Sequence, residues 1–182
     1  MRNTAERYGW IAIVLHWFIA LVIFAMLGLG LYMVELGYYD PWYNALPNLH
    51  KSVGILFGCV LVLAIGWRWC NPSPTAVAGT SDHERWLARS VHHAFHPLIA
   101  LILISGYLIP TADGSAIVVF DLFSVPASIT DIPRQEDNAG LVHEYLSYVL
   151  IALVTLHVVA ALKHHFIDRD NTLRRILGIP DR

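Results

Sequence analysis

Four stretches of this chain are each apolar for long enough to cross a lipid bilayer, and no other feature constrains its folding as strongly. A hydrocarbon core of about 30 Å takes about 20 helical residues. Suitable runs extend from about Gly9 to Met33, Leu49 to Trp69, Ala94 to Ile109 and Leu141 to Leu162. The spacing predicts an all-α integral membrane four-helix bundle, with residues 1–182 as a single domain. Charged residues make up only 14% of the chain and apolar ones 56%, whereas about 25% charged is usual in soluble domains. A net charge of −2 gives no attraction for nucleic acid. Cys59 and Cys70 lie eleven positions apart in one predicted helix, about 16 Å along its axis, so they cannot bridge each other. Cys59 reads as a small core residue. Met1–Trp10 leads into the first run without a small-residue cleavage site, so that run is expected to stay as a helix.

Orientation follows from the cations. Arg2, Arg7, Arg68, Arg85, Arg89, Lys163, Arg169, Arg174, Arg175 and Arg182 fall on one side of four alternating spans, and Lys51 and Arg134 on the other. Both termini and the second loop are therefore expected in the cytoplasm. Tyr38, Tyr39, Trp42 and Tyr43 then form an outer aromatic belt, and Trp67 and Trp69 an inner one.

Of ten histidines, four sit inside or at the edge of these spans: His16, His50, His143 and His157. An imidazole in lipid without a partner is costly, so each needs a hydrogen bond, a proton path or a metal. Depth sorts them. His16 lies early in a helix entering from the cytoplasm and His157 late in one returning there, which gives an inner pair. His50 and His143 begin helices entering from outside, which gives an outer pair. His143 and His157 are fourteen residues apart, within about 40° of one face and about 21 Å apart along the helix, so one helix presents ligands at two depths. Small residues accompany them: Gly54 and Gly58 after His50, Ala12 and Ala20 around His16, Ala160 and Ala161 after His157. These suit either a flat macrocycle or close helix packing.

Zinc gathers three or four ligands at one point. Separated pairs suit instead the two axial positions of a haem iron. No Cys-x-x-Cys-His motif is present, which points to b-type haem. Two protein ligands fill the iron's coordination and leave one-electron transfer as the chemistry. Separate interhelical hydrogen-bonding histidines, in a haem-free histidine-lined transporter, are the alternative from another class.

The segments LHWFIALVIF around His16, LHKSVGIL around His50, SGYLIPTADG at the end of the third helix, and LVHEYLSYVLIALVTLHVVAALKHHFIDRDNTLRRI through His143 and His157 carry a resemblance. Over nearly its whole length the chain resembles the bacterial cytochrome b561 family of four-helix membrane dihaem proteins. That resemblance implies two haem b groups on the same four histidines, a multi-pass place in the bacterial inner membrane, and quinone as the membrane-side redox partner, with an unknown periplasmic donor or acceptor. One branch of the family oxidises superoxide outside and reduces ubiquinone near the inner haem. His164 is similar to the residue that contacts the quinone head group there. The serine that assists it in that branch is Val14 in this chain. The family also includes cytochrome subunits of larger hydrogenase or dehydrogenase complexes.

A superoxide site calls for a basic funnel. The expected outer face carries Glu35, Asp40, Asp113, Asp121, Asp131, Glu136, Asp137 and Glu144 against Lys51 and Arg134. That field repels anions and favours a protein or a neutral molecule as outer partner. His92, His93 and His96 open the third helix as an interfacial cap, a metal site or a proton path. Arg7 and Arg89 are available to the inner haem propionates, and Lys51 or Arg134 to the outer ones. Residues Thr111–Gly140 exceed a plain connector; AIVVFDLF within them reads as a cover over the outer haem or an interfacial anchor. The tail from Asp168 reads as a solvated inner anchor.

Overall fold

A computed structural model describes residues 2–77 and 79–180; Arg182, counted above among the inner cations, lies outside the described residues. The long helices are α1 (Trp10–Met33), α2 (Ala45–Trp69), α3 (Asp82–Leu108) and α4 (Gln135–Lys163). All four are long and apolar enough to cross a membrane. In α1 the only ionisable side chain before Tyr32 is His16. Leu21, Val62 and Leu63 are 68%, 69% and 71% exposed. Apolar side chains this open are at home against lipid and not against water. Cys59 is exposed as well, so it belongs to that lipid-facing set and not to the core.

Three helices begin earlier than their apolar runs. Hydropathy alone starts the third at Ala94, yet α3 starts at Asp82. The cause is a capping box. Ser81 N–H donates to Glu84 Oε2 at 3.1 Å, and Glu84 N–H donates to Ser81 Oγ at 3.3 Å. In α4, Glu136 and Asp137 occupy the first turn, where negative charge suits the helix dipole. Ser81→Ala is expected to cost about 1 kcal/mol. It should lower the thermal midpoint in detergent without altering the absorbance of any bound chromophore.

The chain divides into two compact units. One draws on the chain up to Leu21, Leu61–His96 and the chain from Ile151 onward; the other on Val22–Val60 and Pro97–Leu150. In the first unit the terminal segments are tied down. Thr75 N–H donates to Ala5 O at 2.9 Å and Asn3 Nδ2 to Pro72 O at 2.9 Å. Beyond α4 a single π turn (His164–Asp168) leads to α5 (Thr172–Ile176). Trp17 Nε1 donates to Ile176 O at 2.9 Å, and Arg175 Nη1 to Thr75 O at 2.9 Å. The tail is therefore docked and half-buried through Ile176, which corrects the expectation of a solvated anchor.

The second unit contains the only strands among the described residues. Strands β1 (Ile117–Val119) and β2 (Phe123–Val125) form an antiparallel hairpin. Its turn places Phe120 and Asp121 at φ 49° and 57°, the left-handed region that matches the twist of paired strands. Val119 is fully buried. Ser52, on α2, anchors the hairpin: its Oγ donates to Val118 O at 3.4 Å and accepts from Phe120 N–H at 3.2 Å. Gln135 Nε2 donates to Leu108 O at 3.0 Å and Ile129 O at 3.1 Å. Tyr107 Oη donates to Pro126 O at 2.8 Å. The long loop is thus a structured element held against α2, α3 and α4.

Candidate functional site

Each unit holds one pair of facing imidazoles, and the pairs are those that depth predicts. In the first unit the ring centres of His16 and His157 are 6.3 Å apart, with planes at 57°. In the second, those of His50 and His143 are 6.2 Å apart, with planes at 77°. A metal–imidazole bond of about 2.0–2.1 Å, with the ring centre about 1.2 Å behind the bonded nitrogen, would put the centres of two rings on opposite sides of one metal about 6.5 Å apart, close to both observed spacings. Direct hydrogen bonding between two rings would draw the centres closer. Both pairs therefore fit axial ligation of one metal each.

The surroundings of His143 fix its tautomer. Its Nδ1 lies 2.9 Å from Ile102 O. A carbonyl only accepts, so Nδ1 carries the proton and Nε2 keeps the lone pair a metal needs. Ser105 Oγ stands 3.4 Å from the same nitrogen and itself donates to Ile102 O at 3.0 Å. The Cε1–Nδ1 edge of the ring comes up against Gly106, where a Cβ would lie 2.9 Å from Cε1 and 3.1 Å from Nδ1. His50 is packed less tightly: a Cβ at Gly30 would lie 3.5 Å from its Cε1. Its Nδ1 is buried without a hydrogen-bond partner among the described residues, so the protein alone leaves this ring incompletely satisfied.

Gly54 and Gly58 face ordinary neighbours, Met26 Cε at 3.8 Å and Leu103 Cδ1 at 3.8 Å. Their contacts fit the helix-packing reading of the small residues. The tight glycine is Gly106, to which the sequence assigns no role.

Around the other pair, Trp17 meets His16 edge-on at 5.4 Å. His157 is flanked edge-on by His92 at 5.1 Å and Phe95 at 5.6 Å. At 5.1 Å, His92 and His157 are closer than two ligands on opposite sides of one metal would be, so His16 is the partner whose spacing fits that arrangement. His92, His93 and His96 do not converge as a metal site. Their Nδ1 atoms turn back to Ala88 O, Arg89 O and His92 O at 2.7, 2.7 and 3.0 Å.

His164, at the end of α4, sits beside Asp170, with Nδ1 and Oδ2 2.6 Å apart. Val14 is 55% exposed and carries no hydroxyl. A cavity of about 320 Å³ in the second unit is lined by Asp113, Arg134, Glu136 and Asp137 and contains none of these histidines. Hydrogen bonds from Ser115 hold Asp113 below the usual carboxylate range. Arg134 lies 3.4 Å from Asp137, which offsets one of the two cations on this face.

A family model described as prokaryotic cytochrome b561 matches residues 7–178. Cytochrome b561 homolog 2 of Escherichia coli strain K12 is 48% identical over 176 residues, covering 97% of this chain and 94% of that protein. A probable superoxide oxidase CybB of Yersinia pestis is 28% identical over 173 residues, covering 94% and 96%.

Proposed function

Because the chain belongs to the prokaryotic cytochrome b561 family, b-type membrane electron carriers of the bacterial inner membrane, we propose that it is a single cytochrome domain passing electrons across that membrane on two haems. His16 and His157 would hold one, and His50 and His143 the other. The electrons would run between a periplasmic redox partner and the quinone pool, with both termini in the cytoplasm. The single observation that carries the ligand assignment is the ring spacing, 6.3 Å and 6.2 Å, in two pairs that share α4. When bound, a haem with both axial positions filled supplies reversible one-electron exchange.

The chain's own groups support that chemistry. The Ile102 carbonyl holds Nδ1–H of His143 and frees Nε2 for the iron. The apolar helices around both pairs would keep bulk water from a bound metal and lower the reorganisation cost of its change of charge. The test is a reduced-minus-oxidised spectrum with haem counted per chain. Two low-spin b-type haems are expected. Colourless protein would instead support a histidine-lined transporter, and one haem per chain would end the two-pair assignment.

A second reading, superoxide oxidation coupled to ubiquinone reduction, is favoured by the Yersinia relative's name. Charge opposes it. Eight acidic residues against two basic ones occupy the proposed outer segments, and a like-charged surface slows an anion's approach. With purified protein and ubiquinone, superoxide consumption is expected to stay near the protein-free rate. Any excess should rise with ionic strength as repulsion is screened. Fast, saturable turnover at low salt would establish the oxidase activity.

A further inference from the structure

The C-terminal end of α4 does not fray. His164–Asp168 forms a π turn, Arg169 follows at φ 55°, and the N–H groups of Arg169 and Asp170 both bond His164 O. This folds the chain back so that Asp170 returns to the ring of His164. Asp170 Oδ2 lies 2.6 Å from His164 Nδ1, while its Oδ1 accepts from Thr172 N–H at 2.8 Å. The two side chains are 17% and 16% exposed. Burial works to raise the Asp170 pKa, but hydrogen bonds from Thr172 and His164 outweigh it and hold the carboxyl below its usual range.

The other charges around the ring are accounted for. Asp168 Oδ2 is 3.3 Å from His164 Nδ1 and 2.7 Å from Lys163 Nζ, which also reaches Glu84 Oε1 on α3 at 3.0 Å. His164, Asp168 and Asp170 are close enough to ligate a cation. The Lys163 ammonium already sits on Asp168, so the group reads as an ion-paired network.

A carboxylate on Nδ1 fixes that nitrogen as a donor, so a second proton on the ring is carried by Nε2. Nε2 has no hydrogen-bond partner among the described residues. His164 is seven residues after His157, about two turns along the same helix face and about 10 Å on. A free imidazole N–H at that distance from a haem ligand, at the end of an apolar span, suits a lipid-soluble carbonyl compound that gains protons when reduced.

We propose that Asp170 is a positioning residue for a quinone: it holds the His164 ring by Nδ1–H and keeps Nε2–H turned to a quinone carbonyl oxygen. This rests on the reading that quinone is the membrane-side partner. Reduction to quinol takes two electrons, delivered singly from the haem side, and two protons. One proton leaves His164 Nε2 and is replaced from water, and the other comes from water directly.

The test uses dithionite-reduced holoprotein in detergent, mixed with decylubiquinone and followed by haem absorbance. Equilibrium retention of a labelled quinone analogue provides a readout independent of turnover, and ferricyanide serves as an acceptor that needs no proton. His164→Ala and Asp170→Ala are each expected to raise half-saturating quinone and weaken retention by about tenfold, the loss of one charge-assisted hydrogen bond. Ferricyanide rates should be unchanged. Asp170→Asn keeps an acceptor for Nδ1–H without the charge and should fall between wild type and Asp170→Ala; it also serves if the alanine variant does not fold. Wild-type behaviour of His164→Ala would overturn quinone at His164. Impaired His164→Ala beside wild-type Asp170→Ala and Asp170→Asn would overturn the role of Asp170 alone.

Discussion

Replacing His143 with alanine is expected to halve the haem content, from two b-type haems per chain to one, and to abolish electron transfer across the membrane. The remaining haem should keep the low-spin spectrum of two histidine ligands. His143 faces His50 within one compact unit, and His16 faces His157 within the other. On the proposed pairing, removing one ring would deprive one metal of a ligand and leave the other pair's contacts in place. His157→Ala should give the complementary loss, and the double variant a colourless protein. Loss of both haems from either single variant, or of neither, would mean that the pairs are wrongly drawn. The measurement is haem per chain by alkaline pyridine spectroscopy, with redox titration to show which component has gone.

Residue numbers and alternating helices are enough to pair these residues by depth, so the juxtaposition was legible in the sequence. The helix starts were half legible. Ser81-x-x-Glu84 is a capping box written in the chain, yet hydropathy overrides it because Asp82–Ser90 is polar. The hairpin was hidden for a different reason. Its turn puts Phe120 and Asp121 at positive φ, where a glycine or asparagine would have announced it. The surroundings of the ligands were least legible. Ile102 contributes a backbone carbonyl, which side-chain identity does not reveal. Asp170 reaches His164 through a π turn, which shifts residues off the helical spacing that would otherwise pair them. Gly106 sits inside a quoted motif, but only the distance to the His143 ring says what it is for.

That distance carries the second large expectation. Gly106→Ala should lose most of the same haem that His143→Ala loses, and Gly106→Val all of it, with the other haem retained. A Cβ at this position would lie 2.9 Å from His143 Cε1 and 3.1 Å from Nδ1, inside van der Waals contact. The obstructed group is a ring held at Nδ1 by the Ile102 carbonyl at 2.9 Å, so it cannot swing aside without giving up that bond. A displaced ring loses both the hydrogen bond that fixes its tautomer and the 6.2 Å spacing to His50. Losing the hydrogen bond that orients a ligating imidazole costs about 10–100-fold in metal affinity. Gly28→Ala separates this from any general effect of glycine replacement in a helix. A Cβ at Gly28 meets nothing within 4 Å, and alanine favours helix over glycine by about 1 kcal/mol. That variant should bind both haems and be slightly more stable. Steric exclusion at one backbone position and relief of helix entropy at the other then have opposite signs in the same assay. A Gly106→Ala protein with two haems and an unshifted spectrum would show that the His143 ring is not held where the Ile102 carbonyl and Gly106 put it.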